Sequence, residues 1–221
     1  MNAITSAAVC GALFVGASAQ GAILQVQMTG AVEFNLANSG PVSTIGVGET
    51  LTYSFEVDSD VFLDSGSFPV RGYEIVPGSF MVTTSGGFST GLSPSLPATP
   101  YFVLRNNDPA VDGFYLTFGG VDFPGGLWTQ EPGLFGDPFE AHFSVGYTGD
   151  TLDSLDILDA TGTYAYGSGG PGTLTNFYFN LVDLGFEVVG VDFQQMSIVP
   201  APATMCLLVP LATRRRRRAA W

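Results

Sequence analysis

The sequence predicts an all-β protein: a single antiparallel β-sandwich or jelly-roll-like domain of about ten to twelve strands. Three observations lead there. The 221 residues include 29 glycines, 14 prolines and 18 phenylalanines. That composition suits short strands joined by tight turns, because Gly supplies positive φ and Pro fixes φ at turn entry. Residues 51–57, Leu-Thr-Tyr-Ser-Phe-Glu-Val, place an apolar side chain at every second position and a polar one between. One face is then buried and the other wet, the pattern of antiparallel sheets. Finally, 46% hydrophobic residues against 12% charged ones exclude a disordered polymer, and no segment reads as a long helix.

Taken in order, residues 1–19 read as a secretory signal. An apolar run covers 7–16, and Ala17-Ser18-Ala19 supplies the small-x-small pattern that places cleavage before Gln20. Residues 20–198 form the body, long enough for one sizeable core. Strands are expected over 23–28, 32–34 and 51–57, then over 73–76 and 79–84 around the Pro77-Gly78 turn. Residues 86–100, with Pro94, Pro97 and Pro100, read as a long loop. A pair follows at 101–106 and 113–118. The Gly- and Pro-dense stretch 119–138 reads as loop and holds Trp128, the body's one tryptophan. Alternation returns at 141–147. Leucines 152, 155 and 158 predict a short helical turn within 150–158. A Gly-rich loop over 161–173 carries Tyr164 and Tyr166, and strands over 174–181 and 186–198 close the body.

Charge is distributed unevenly. The chain has no lysine, and five of its seven basic residues are Arg214 to Arg218. All 20 acids lie between Glu33 and Asp192, so the body sets Arg71 and Arg105 against 20 carboxylates and carries a formal charge of −18. Such a surface repels phosphate backbones and argues against nucleic-acid binding. Neither cysteine, Cys10 or Cys206, falls within the body, which therefore has no disulfide and no thiol chemistry.

Motifs for catalysis are scarce, and no catalytic residue is expected. His142 is the only histidine. Its place opposite in phase to Phe143 and Val145 puts it on the solvent face, and no nucleophile motif accompanies it. Asp58, Asp60 and Asp64 cluster after the strand at 51–57 and could begin a calcium loop, although the EF-hand spacing is absent. Trp128, Tyr164 and Tyr166 could stack on pyranose rings from their loops, since an aromatic offers a flat apolar face with a polar edge. Two further functional readings thus accompany that of a surface protein: a carbohydrate-binding module, calcium-assisted or not, and a hydrolase built on paired carboxylates.

The chain ends in a distinctive order of parts over 199–221. Val199-Pro200-Ala201-Pro202 comes first, and its prolines predict a stiff, extended spacer that leaves the sheet. The apolar residues 203–213 are too few to span a bilayer as a helix. Arg214, Arg215, Arg216, Arg217 and Arg218 follow, a block that the positive-inside rule holds on the cytoplasmic side. This arrangement resembles the bacterial PEP-CTERM sorting signals, with Ala201 where that family usually has Glu. The resemblance implies export by the secretion translocon and transient membrane association through the tail. It further implies processing by an exosortase-like membrane protease and delivery to the bacterial envelope or extracellular matrix, with an envelope polysaccharide as a possible partner. The body implies no cofactor beyond the calcium just considered.

Overall fold

The computed structural model describes residues 21–108, 111–165, 172–184 and 186–202. Ala17, Ala19 and Gln20 of the expected signal, Tyr166, and Arg214 to Arg218 lie outside the described residues.

Among the described residues the body has twelve strands: β1 (Ile23–Asn35), β2 (Thr50–Asp64), β3 (Val70–Ile75), β4 (Met81–Thr84), β5 (Ser89–Gly91), β6 (Pro100–Arg105), β7 (Val111–Phe118), β8 (Gly126–Pro132), β9 (Pro138–Thr148), β10 (Gly162–Ala165), β11 (Leu174–Val182) and β12 (Val188–Pro200). Every pairing between them is antiparallel. Strands β1, β12, β11, β9, β7, β6, β3 and β2 neighbour one another in that order, and β2 pairs back onto β1. The fold is therefore all-β and antiparallel, and its sheet closes into an eight-stranded barrel.

Three strands change neighbours along their length, which lets the other four strands join the closed sheet. Leu51 to Ser54 of β2 pairs with β4, whereas Val57 to Asp64 pairs with β3. Similarly, β12 meets β11 at its start and β10 near its end, and β9 meets β8 first and then β7. A strand that bends presents its edge to one partner and then to another. Consequently the Pro77-Gly78 turn joins two strands that both pair with β2 rather than with each other.

Alternation sets what lies inside. Along β2 every second residue from Leu51 to Val57 is buried, and the same holds on β9 from Phe139 to Val145. The interior is dominated by a connected series of nine rings: Tyr164, Phe114, Phe102, Phe55, Phe80, Tyr53, Phe179, Phe143 and Phe193. Successive centroids lie 4.7–5.8 Å apart, within the range where offset or edge-on aromatic contacts are favourable. Two buried tyrosines of this core, Tyr53 and Tyr73, donate to backbone carbonyls, whereas the buried Tyr147 hydroxyl has no such partner among the described residues. The Tyr53 hydroxyl donates to the Asn180 carbonyl at 2.6 Å, and burial pushes its ionisation far above the ordinary tyrosine value. A smaller cluster of Val70, Val103, Tyr115 and Val121 covers the outer face of β3, β6 and β7.

Several local expectations change. Residues 150–158 form turns rather than a helical turn, for a reason visible in their donors. The Thr151 and Leu152 amides donate to the Asp112 carboxylate and the Ile157 amide to the Tyr73 hydroxyl. Of these, the Ile157 amide is the one that would need an i−4 carbonyl in a helix, and the Tyr73 hydroxyl takes it instead. Strands β5, β8 and β10 lie within stretches that read as loop. The body also runs past Ile198, because β12 carries Val199 and Pro200 opposite Gln25 and Leu24. Beyond them the Ala201 amide donates to the Ile23 carbonyl at 2.9 Å. Proline withholds only its own donor, so Pro200 ends the ladder without preventing its last step.

Candidate functional site

Strand β9 alternates buried Phe139, Ala141 and Phe143 with partly exposed Glu140 and His142. That phase puts the acid and the imidazole side by side on the outer face, two residues apart. Across the ladder, Trp128 of β8 stands opposite Glu140. On the other side, Tyr178 of β11 projects outward next to buried Phe179 and is half exposed. The four side chains form a row over three strands. The Trp128 indole N–H donates to Glu140 Oε1 at 3.1 Å. His142 Nε2 lies 2.9 Å from Glu140 Oε2; because an ionised carboxylate can only accept, the proton in that contact belongs to Nε2. The Tyr178 ring meets the imidazole edge-on at 5.6 Å.

Electrostatics follow from those contacts. The hydrogen bond from His142 holds the Glu140 carboxyl below the usual range, aided by the indole and opposed by partial burial. Both oxygens are thereby engaged, so Glu140 is a fixed anchor and not a free base. Gly126 pairs with His142 across β8 and β9, and a Cβ there would run into the imidazole and Glu140. Glycine at this position lets the ring lie down over the strand.

Trp128 is also one wall of a cleft of about 610 Å³ that continues past Thr129, Gln130 and Pro138 to Ser93 and Pro94. Ser93, Pro94 and Gln130 are shared with a neighbouring groove of about 690 Å³, which extends beneath the 92–100 loop to Glu74 and Pro77. The two together make an elongated trough, with Trp128 held rigid at one end by Glu140 and by an edge-on contact of 6.0 Å with Phe118.

The other residues singled out in the sequence are dispersed. Tyr164 faces inward, 4.7 Å from Phe114, and donates its hydroxyl to the Ala160 carbonyl; burial pushes that hydroxyl up to about 12. It packs on the core and shares no platform with Trp128. Asp58, Asp60 and Asp64 lie within β2 rather than in a loop, spread over roughly 20 Å of extended chain. Asp64 is taken by Arg71, whose Nε approaches to 2.6 Å, and Asp58 accepts the Asp60 amide. Three oxygens so placed do not converge as a calcium site requires, and among the described residues no group of three or more His, Cys, Asp or Glu is positioned for a metal. For a carboxylate pair, Asp183 and Glu187 are close in the chain, but both are buried and engaged by backbone amides. Glu140 and Tyr178 escaped the sequence reading. The alternation at 141–147, extended by one residue, would have placed Glu140 beside His142.

The site and fold define the class: a closed antiparallel barrel with a polar–aromatic row and a trough on its outer surface. No family model, no curated protein and no solved structure matches the chain.

Proposed function

We propose that this is an exported, non-catalytic surface or matrix protein that binds a glycan along the Trp128 trough. The observation that carries the reading is Trp128, whose indole is locked by Glu140 and which lines an elongated cleft together with hydroxyls, an amide and prolines. A rigid aromatic with hydrogen-bonding neighbours suits a pyranose, whose faces are apolar and whose rim is hydroxylated. His142 and Tyr178 extend the same surface. The scattered acids of β2 make binding independent of calcium.

A glycan array probed with the protein should show binding that EDTA leaves unchanged. Trp128→Ala should weaken it at least tenfold while shifting the melting temperature by only a few degrees. Absence of signal on every glycan, or an unaltered signal in the variant, would reject this assignment.

Delivery rests on the two termini. We propose cleavage after Ala19 and removal of the tail bearing Arg214 to Arg218 by an exosortase-like protease, after transient tethering at the membrane. Intact-mass measurement of exported material should give a chain that begins at Gln20 and lacks the arginine block. Recovery of the full-length chain from the cytosol would contradict it.

A further inference from the structure

One end of the barrel inverts the usual placement of polar and apolar groups. Three loops meet there: residues 36–40 after β1, 133–137 between β8 and β9, and 183–187 between β11 and β12. Two of their three acids point inward. Asp183 accepts the Glu187 and Leu134 amides, and Glu187 accepts the Asn38 amide and the Ser39 hydroxyl. Both carboxylates are buried. A Cβ at Gly133 would collide with Asp183, so the 133–137 loop is drawn tightly onto the clamp. Their apolar side chains point outward instead. Leu36, Leu134, Phe135, Leu184 and Phe186 are 51% to 90% exposed.

Phe186 is the extreme case. It is 90% exposed and sits at φ 69°, a conformation that costs a bulky residue steric strain. Strain combined with near-complete exposure contributes nothing to the monomer's own core. Exposed apolar surface of this extent marks an interaction site.

We infer that this tip is a self-association surface, on which a second copy of the chain docks tip to tip about a twofold axis. Three observations favour that occupant. The five side chains expose roughly 600 Å² per copy, given about 200 Å² for each large side chain. Two tips together would then bury about 1,200 Å², the lower bound for a specific interface. Charge agrees: the three loops contain only Asp137, Asp183 and Glu187 as ionisable groups, and the last two are buried. Tip-to-tip contact therefore keeps the strongly acidic bodies apart, whereas side-to-side contact would oppose them. Position agrees too. The tip lies at the start of β12 and the tail leaves from its end, about 40 Å away along the strand. A second copy can therefore dock on the tip without meeting the end of β12.

Light scattering on the full chain across 1–100 μM should show a concentration-dependent dimer. Phe135→Asp combined with Phe186→Asp should yield a monomer throughout that range. Phe186→Gly provides the decisive split: it relieves the left-handed strain and should raise the melting temperature, while weakening association at least fivefold. Dimerisation unaffected by these changes, or a wild-type monomer at 100 μM, would overturn the proposal. So would a monomer that instead floats with neutral phosphatidylcholine vesicles through Phe135 and Phe186, since that outcome assigns the tip to a lipid surface.

Discussion

Phe102→Ala is expected to destabilise the domain by about 4 kcal/mol, the cost typical of truncating a fully buried phenylalanine. For a domain of this length that loss lowers the melting temperature by roughly 8–16 °C. The size of the effect follows from position. Phe102 has no accessible surface and lies in the middle of the ring series, 5.5 Å from Phe55 and 5.7 Å from Phe114, with the latter ring parallel to within 1°. Truncation removes dispersion contacts on both sides and leaves a void between β2 and β7 that the closed sheet cannot easily collapse. Phe102→Leu, which refills part of that space, should recover about half of the loss. Thermal denaturation followed by circular dichroism checks both values, and a shift below about 2 °C for the alanine variant would remove Phe102 from the centre of the core.

The second large effect belongs to Asp112. Its carboxylate has no accessible surface and accepts three backbone amides, from Asn107 at 2.8 Å, Thr151 at 2.5 Å and Leu152 at 2.7 Å. Two loops far apart in the chain are thereby pinned to β7. Asp112→Ala strands three backbone donors, that of Leu152 buried and those of Asn107 and Thr151 part-buried, and removing one partner of such a network costs the desolvation of what remains. About 3 kcal/mol is expected, a fall of roughly 6–12 °C in melting temperature. Amide hydrogen exchange should show the loss unevenly, with Thr151 and Leu152 losing protection at temperatures where β9 keeps it. Asp112→Asn preserves shape but offers one accepting oxygen in place of two, so it should fall between the wild type and the alanine variant. Uniform loss of protection across the barrel would mean that Asp112 supports the core and not the loops.

Much of the architecture is legible in local pattern. The alternation at 51–57 and 141–147 places the buried faces of β2 and β9 correctly, because a period of two admits only one inward set once the core is apolar. The same reasoning puts His142 outside, where it is found. Less legible were elements whose environment comes from distant chain. Leucines 152, 155 and 158 carry a helical spacing, yet the Tyr73 hydroxyl captures the Ile157 amide that a helix would pair internally. The acids of β2 sit where local polarity suggests a loop, but pairing of Phe62, Leu63 and Asp64 with β3 carries the strand through them. For the candidate site, Trp128 stood out by rarity alone. Its partner Glu140 and the trough exist only because β8 pairs with β9 and the 92–100 loop folds alongside.

The sequence by itself determined the class, the phase of the long strands and the acidity of the body, since each follows from composition or nearest-neighbour spacing. Tertiary structure alone decided that the sheet closes, that Tyr164 faces the core while Trp128 faces a cleft, and that two acids turn inward as apolar tips turn out. Those outcomes depend on which strands share an edge, and hydrogen-bonded register between residues more than a hundred positions apart leaves no periodic trace in the chain.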